Sequence, residues 1–221
     1  MSCTATVASA ARRTGRRFAR EPKAPGRALC EYPDVQAIEW PLNRSTQPVS
    51  QAAQRVRPER PGDEPAIARV NEAAFGRPDE ARLVAALRAT ASPFVSLVAE
   101  DADSALTGHI AFSPVTVGHE EGLSVMALAP MAVMPARQRS GVGTALIQHG
   151  LSACRAIGVG AVVVLGHADY YARFGFAPAS RFGLRCPYDA PEEAFMAIEL
   201  IAGYLEGIEG TVAFHAAFAD L

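Results

Sequence analysis

The 221-residue sequence predicts an α/β protein in which helices flank a central mixed β-sheet. Three observations support this fold class. An apolar strand at residues 123–134 runs through a short polar loop into an amphipathic helix, and a second apolar strand follows at 161–165. Residues 94–100 and 106–117 have the composition of a β-hairpin. Two helical patterns precede these strands. Because a strand–loop–helix–strand unit predicts parallel neighbours and a hairpin predicts antiparallel ones, the sheet should be mixed.

The folded part should begin with a short strand near residues 54–59. A turn at 61–63 leads into the first helix, for which Asp63 is the predicted N-cap. This helix should extend to about residue 75, with one apolar face formed by Ile67, Val70, Ala74 and Phe75. A second helix is predicted at about 78–90. Both helices are expected to pack on the sheet.

The second half of the chain continues the same pattern. The helix after the polar loop should end at Gly158 and bury a stripe of side chains, namely Leu146, Ile147, Gly150, Leu151, Cys154 and Ile157. A short helix is predicted near 170–174, and a strand at 195–200 completes the sheet. Pro130 lies inside the strand at 123–134, and because proline cannot donate a ladder hydrogen bond it predicts a local break or bulge there.

The polar loop before the amphipathic helix has the features of an anion site. Gly141 and Gly143 let the backbone turn tightly and approach a ligand closely. A helix that begins at such a loop points unpaired N–H groups and the positive end of its dipole outwards. A pyrophosphate fits that environment.

Two motifs in this order resemble one known family. The spacing Gln138-x-x-Gly141-x-Gly143 after an apolar strand resembles the acetyl-coenzyme A binding motif of the GNAT superfamily of N-acetyltransferases. Downstream, the segment from Tyr171 to Phe176 resembles the family's Tyr-x-x-x-Gly-Phe element. The order of elements also matches, and the chain is most similar to the small predicted bacterial acetyltransferases. The resemblance implies a GNAT-like fold whose central sheet contains a splayed parallel pair of strands, and Pro130 lies where the family splays them.

The resemblance also implies the coenzyme contacts. Acetyl-coenzyme A would be the acetyl donor, with no metal. Its pyrophosphate would lie on the motif residue Gln138 and the backbone amides that follow it, those of Arg139, Ser140, Gly141, Val142, Gly143 and Thr144. Met131 and Val133 would offer backbone groups to the pantetheine arm. Arg137 and Arg139 are candidates for cation contacts with the phosphates.

The catalytic side of the resemblance is less complete. Tyr171 matches the tyrosine that protonates the departing thiolate, which a phenol of pKa ~10 can do within hydrogen-bond reach, and Tyr170 is the competing candidate. Val164 stands where many relatives have asparagine. No acid lies between residues 123 and 134, so a general base stays open among Glu72, Glu80, Glu120, Glu121 and Asp169. A neutral amine could also attack directly, with proximity supplying the acceleration.

The two parts of the chain differ in charge. Residues 1–60 hold 11 Lys and Arg against 5 Asp and Glu, whereas 61–221 hold 10 against 18, giving net charges of +6 and −8. Residues 1–54 are predicted to be a disordered basic extension, although an organellar transit peptide, a misassigned start codon and a nucleic-acid contact share that composition. We expect the N-acetyltransferase domain at 55–201 and, at 202–221, a C-terminal tail that packs on the domain or trails it.

Composition excludes several classes of protein. No apolar run approaches the ~20 residues that span a bilayer. The four cysteines form no Cys-x-x-Cys pair and the five histidines show no ligand spacing, so neither a disulfide framework nor a metal site is expected. We expect a cytoplasmic protein, with organellar targeting the minor alternative.

The sequence therefore predicts an acetyl-coenzyme A-dependent N-acetyltransferase in which an acceptor amine attacks the thioester directly. A net −8 favours a cationic small-molecule or peptide acceptor over a nucleic acid, and a homodimer stays open. The alternative is a non-catalytic acyl-coenzyme A binding or regulatory module. A nucleotide-binding protein is disfavoured, because the loop lacks a Gly-Lys-Ser/Thr ending and the third glycine of a dinucleotide fingerprint.

Overall fold

The computed structural model describes residues 55–120 and 122–220, so the predictions for residues 1–54 and for Glu121 lie outside the described residues. Along the chain the strands are β1 (Arg55–Pro58), β2 (Val95–Glu100), β3 (Leu106–Val117), β4 (Val125–Val133), β5 (Ala161–Leu165), β6 (Ala177–Pro178), β7 (Leu184–Arg185), β8 (Phe195–Glu199) and β9 (Gly210–Ala213). The α-helices are α1 (Glu64–Phe75), α2 (Asp79–Thr90), α3 (Val142–Ala156) and α4 (Ala168–Tyr171).

The strands form a mixed sheet in the order β1-β2-β3-β4-β5-β8-β6. Along this path β4 and β5 are parallel, and the other neighbours are antiparallel. The predicted hairpin is β2–β3, and the predicted strand–loop–helix–strand unit is β4–α3–β5. Both predictions are confirmed, because apolar runs bounded by turns specify strands and the α3 crossover makes β4 and β5 parallel.

Strand β4 breaks its regular pairing at the predicted place. Ile110 of β3 pairs with Met131, but Phe112 pairs with Leu128, so two β4 residues lie opposite one β3 residue. One of these two is Pro130. On the other side of β4, pairing with β5 ends at Ala127, although β4 continues to Val133. The two parallel strands therefore separate beyond this point.

Different elements cover the two faces of the sheet. Helix α3 packs on one face and buries the predicted stripe, including Leu146, Ile147, Leu151 and Cys154. Helices α1 and α2 cover part of the other face, where Ile67 and Val84 meet Val98 of β2. The segment after β8 covers another part, since β9 pairs with the end of β3 and Phe218 packs against α2. The division into domain and tail stays a prediction.

The start of α1 differs from the prediction in one respect. Asp63 is the N-cap residue by position, but its side chain caps no backbone N–H of the helix. Its carboxylate instead accepts hydrogen bonds from Arg57, at 2.6 Å, and from the Arg60 backbone. Arg57 also donates to Glu100 at 2.6 Å. The hydrogen bond that Asp63 accepts from Arg57 is the main cause that lowers the pKa of Asp63. The ion pair takes the acceptor that the cap would have used.

Candidate active site

A cleft of about 710 Å³ opens where β4 and β5 separate. Residues from four parts of the chain line it: the last turn of α1, the end of β4, the loop into α3, and the segment after β5. The lining residues are Ala74, Phe75, Met131, Val133, Gln138, Arg139, Gly141, Gly143, Thr144, His167, Asp169, Tyr170 and Arg173. We call residues 138–144 the anion loop and Ala74 with Phe75 the α1 wall.

The anion loop ends in an open helix N-terminus. Gly141 is the N-cap of α3 with φ of 93°, a left-handed conformation that glycine adopts without strain. The first intrahelical bond runs from the Ala145 N–H to the Gly141 carbonyl at 3.0 Å, so the N–H groups of Val142, Gly143 and Thr144 precede it. No side chain caps this end of α3. These N–H groups and the helix dipole make the site suited to an anion.

Side chains hold the anion loop against its surroundings. Gln138 donates from Nε2 to the Val133 carbonyl at 3.3 Å, which ties the loop to the end of β4. Arg137 pairs with Asp101 of the β2–β3 turn at 3.1 Å and does not line the cleft, unlike Arg139. Of the two candidate cations, Arg139 is therefore the one placed to meet a phosphate.

Seven of the nine predicted coenzyme-binding residues line the cleft. The side chains of the other two, Ser140 and Val142, do not. The Ser140 hydroxyl donates to the Arg137 carbonyl at 2.6 Å. The Val142 side chain, in the first turn of α3, is 3 % exposed because it packs in the hydrophobic core. Their backbone amides still belong to the anion loop, and the predicted contacts of all nine with a coenzyme stay a prediction.

The two tyrosines of the Tyr170–Tyr171 pair face different ways. Tyr170 lines the cleft, and its hydroxyl lies over Gly143, where a Cβ atom would come within 2.5 Å of it. Arg173 lies over the Tyr170 ring at 4.5 Å. Tyr171 is 3 % exposed, because its ring packs edge-on against Phe176 in the core. The predicted role of Tyr171 stays a prediction, but the geometry favours Tyr170 as the phenol of the cleft.

Of the candidate bases within residues 55–120 and 122–220, one lines the cleft. Asp169 does so from α4, beside Tyr170. Glu80 is buried and pairs with Arg77 at 2.6 Å, which accounts for its charge. Glu72 and Glu120 are exposed and lie outside the cleft lining. Nowhere in residues 55–120 and 122–220 do three or more His, Cys, Asp or Glu side chains gather as a metal site.

Sequence reasoning missed four lining residues: Ala74, Phe75, His167 and Arg173. Ala74 and Phe75 looked like ordinary core positions because they continue the apolar stripe of α1. The signal that could have found His167 and Arg173 is position, since both flank the Tyr170–Tyr171 pair at the end of β5, where the splayed strand opens.

Comparison with known proteins agrees with this geometry. The family model for the acetyltransferase (GNAT) domain matches residues 55–179, which is more than half of the chain. The chain belongs to the GNAT acetyltransferase family. This membership confirms the predicted family, fold class and enzyme class. No helix in the described part of the chain is long and apolar enough to cross a membrane.

Relatives align with most of this GNAT chain. The uncharacterised N-acetyltransferase YhbS of Escherichia coli is 36% identical over 163 residues, which make up 74% of this chain and 97% of YhbS. A crystal structure of YhbS in complex with CoA matches this chain with a TM-score of 0.71 at 34% identity. The match covers 78% of this chain and 96% of the YhbS chain. The structure of a GNAT acetyltransferase from Brucella melitensis in complex with acetyl-CoA has a TM-score of 0.62 at 37% identity. The match covers 76% of this chain and 99% of the Brucella chain.

Proposed function

We propose that this GNAT protein transfers the acetyl group of acetyl-coenzyme A to an amine by direct attack on the thioester. The observation that carries the proposal is the uncapped N-terminus of α3, which lies in one cleft with the freed edge of β4. The N–H groups suit a pyrophosphate, and an unpaired strand edge suits an extended arm with amide groups. The relatives crystallised with CoA and acetyl-CoA support this choice of donor.

Tyr170 is the acid in this proposal. The amine nitrogen bonds to the acetyl carbon, the carbon–sulfur bond breaks, and the coenzyme leaves as a thiolate that must take up a proton. A phenol can supply that proton when it lies within hydrogen-bond reach. The Tyr170 hydroxyl and the Met131 side chain of β4 both lie within 4 Å of the position that a Cβ atom would take on Gly143, whereas Tyr171 packs in the core.

No carboxylate base is needed in this proposal. Asp169 is the acid of the cleft lining, but it lies on α4 beside Tyr170 and not on the α1 wall. An amine that enters in its neutral form can attack without a base and lose its proton to water afterwards, because binding both substrates in one cleft supplies much of the acceleration. The acceptor is an amine of a small molecule or peptide, and the net −8 of residues 61–221 favours a cationic one.

The experiment is a thiol-release assay with acetyl-coenzyme A and a panel of polyamines, aminoglycosides and basic peptides. The proposal expects thiol release that depends on one class of amine, with one acetylated product per thiol. Binding of acetyl-coenzyme A without release on any amine would contradict it and favour a non-catalytic acyl-coenzyme A binding module.

A further inference from the structure

A line of hydrogen-bonded polar side chains crosses the core behind the cleft. Glu59, just after β1, accepts hydrogen bonds from Arg88 of α2 and from the Ser96 hydroxyl of β2. Ser96 Oγ lies 3.0 Å from Nε2 of His109 on β3, and His109 Nδ1 lies 3.1 Å from Nδ2 of Asn71 on α1. We call Glu59, Ser96, His109 and Asn71 the buried relay. His109 and Asn71 have no exposed surface.

The direction of each hydrogen bond follows from the ends of the buried relay. The Glu59 carboxylate can only accept, so the single Ser96 proton goes to it, and Ser96 Oγ accepts from His109 Nε2. His109 Nδ1 then accepts from Asn71, whose Nδ2 also donates to the Ile67 carbonyl at 2.9 Å. Burial lowers the pKa of His109 to about 3, which keeps the ring neutral in this single tautomer. Every donor in the line is therefore used.

One acceptor in the buried relay is left over. Asn71 Oδ1 is buried and has no hydrogen-bond partner among the described residues. Both amide protons are committed, to Ile67 and His109, so turning the side chain over would point an oxygen at the Ile67 carbonyl. An apolar side chain of similar volume would avoid this unpaired oxygen but would leave the buried His109 Nδ1 without its donor. What asparagine provides at this position is a side-chain link between α1 and β3.

Asn71 sits one helical turn before the α1 wall. Residues 71, 74 and 75 share one face of α1, at spacings of three and four residues. His109 pairs with Ala132, which lies between Met131 and Val133 of the cleft lining. The Asn71–His109 bond thus joins α1 to the sheet directly behind the cleft and fixes where the α1 wall stands relative to β4.

We infer that the buried relay positions the α1 wall for the acceptor amine, so that Asn71 and His109 are positioning residues for the second substrate. The inference rests on the proposed acetyl transfer, in which the anion loop and β4 hold the coenzyme and leave the α1 wall for the acceptor. It separates two properties of the cleft. Breaking the relay should weaken acceptor binding and leave coenzyme binding unchanged, because no relay residue takes part in the bond between Gln138 and Val133 that holds the anion loop to β4.

The test uses the full chain with Asn71→Leu, which removes the two hydrogen bonds and the unpaired oxygen together. Ser96→Ala breaks the relay from its far side and serves if Asn71→Leu does not fold. Ser113→Ala is the matched control, because Ser113 is also buried and unpartnered on β3 among the described residues but lies outside the relay. For each variant we would measure acetyl-coenzyme A affinity by calorimetry, and the KM and kcat for the amine with the highest turnover in the panel.

The inference expects the KM for the amine to rise by about tenfold in Asn71→Leu and Ser96→Ala, which corresponds to a loss of about 1.4 kcal/mol. Coenzyme affinity should stay at the level of the unmodified protein, as should both constants in Ser113→Ala. An unchanged KM for the amine, or equal losses for amine and coenzyme, would overturn the inference.

A readout that needs no acceptor separates this inference from the proposed function. Amide hydrogen exchange of residues 72–76 should accelerate in Asn71→Leu and Ser96→Ala and not in Ser113→Ala, because the last turn of α1 loses its link to β3. If no amine is turned over but exchange accelerates, the proposed function fails while the positioning of the α1 wall stands. Unaltered exchange in both relay variants would overturn the positioning itself.

Discussion

The two sides of the cleft are formed by different parts of the residues: backbone groups on one side and side chains on the other. The anion loop uses backbone groups: the N–H groups of Val142, Gly143 and Thr144 at an uncapped helix start, beside the freed edge of β4. The α1 wall uses the side chains of Ala74 and Phe75, backed by the buried relay. Backbone sites demand particular residues such as glycine, whereas side-chain walls can be built from many. The anion loop can therefore be predicted from the sequence, whereas the α1 wall cannot.

The largest expected effect breaks the anion loop. In Gly143→Trp the new side chain would fill the space over the first turn of α3, where the Tyr170 hydroxyl already lies within 2.5 Å of a Cβ position. We expect affinity for acetyl-coenzyme A to fall by about 100-fold or more, which corresponds to about 2.7 kcal/mol, because the indole would occupy the space proposed for the pyrophosphate. Calorimetric titration measures it.

Gln148→Trp is the matched control for that variant, because Gln148 is exposed on the same helix and outside the cleft lining. It should bind the coenzyme normally. Equal affinity of Gly143→Trp and Gln148→Trp would show that the coenzyme does not use the anion loop.

The next effect distinguishes the two tyrosines. Tyr170→Phe should lower kcat by about 100-fold and leave coenzyme affinity intact, because general acids contribute on the order of 10²–10⁴ to rate. Tyr171→Phe should leave kcat nearly unchanged and alter stability only slightly, because phenylalanine keeps the ring that packs in the core. Steady-state kinetics and thermal unfolding of both variants measure these effects. If the loss of kcat follows Tyr171→Phe instead, Tyr171 carries the proton and Tyr170, the phenol of the cleft, does not.

The buried relay should make stability depend on pH. The pKa of His109 is lowered from 6.5 to about 3 by burial and, to a smaller extent, by the charge of Arg88. Between these two pH values His109 holds a proton in the unfolded chain but not in the folded chain. The stability that this difference contributes is fully present above pH 6.5 and is lost as the pH falls towards 3. The free energy of unfolding should fall by at most about 1.4 kcal/mol per pH unit from this group.

Urea unfolding at several pH values between 7 and 5 measures that dependence. In His109→Gln the corresponding part of the slope should vanish, since glutamine does not titrate. The same slope in the variant and in the unmodified protein would mean that other groups cause the acid sensitivity.

The smallest effect compares two arginines of the anion-loop region. Arg139→Ala should weaken coenzyme binding by about fivefold at low salt, as expected for an exposed cation that contacts a phosphate and contributes up to ~1 kcal/mol. Arg137→Ala should change it less, because Arg137 pairs with Asp101 and lies outside the cleft lining. Titration at two salt concentrations measures both. A larger loss for Arg137→Ala would reverse their assignment.

The sequence was sufficient wherever local backbone chemistry determines the structure. Apolar runs gave the strands of the hairpin and of the parallel pair, and Pro130 marked the bulge because it lacks an N–H group. The glycines gave the anion loop. Asp63 was predicted to cap α1, but its carboxylate pairs with Arg57, and the sequence pattern does not show that β1 places Arg57 beside it.

The acceptor side escaped prediction for the same reason. The relay joins residues 59, 71, 96 and 109 from four separate parts of the chain, and no spacing in the sequence shows that they meet. The choice between Tyr170 and Tyr171 also depends on which of the two rings is buried in the core. Phe176 and the end of β5 decide that by packing against Tyr171, which is a tertiary effect.

Backbone amide NMR of the 23.3 kDa chain during a titration with acetyl-coenzyme A tests the central claim most directly. The account predicts that the largest shifts fall on the amides of the anion loop, with Gly143 and Thr144 moving downfield as their N–H groups donate to phosphate oxygens. It also predicts small shifts in the relay residues. Saturable binding that leaves the amides of Gly141, Gly143 and Thr144 unshifted would contradict the account.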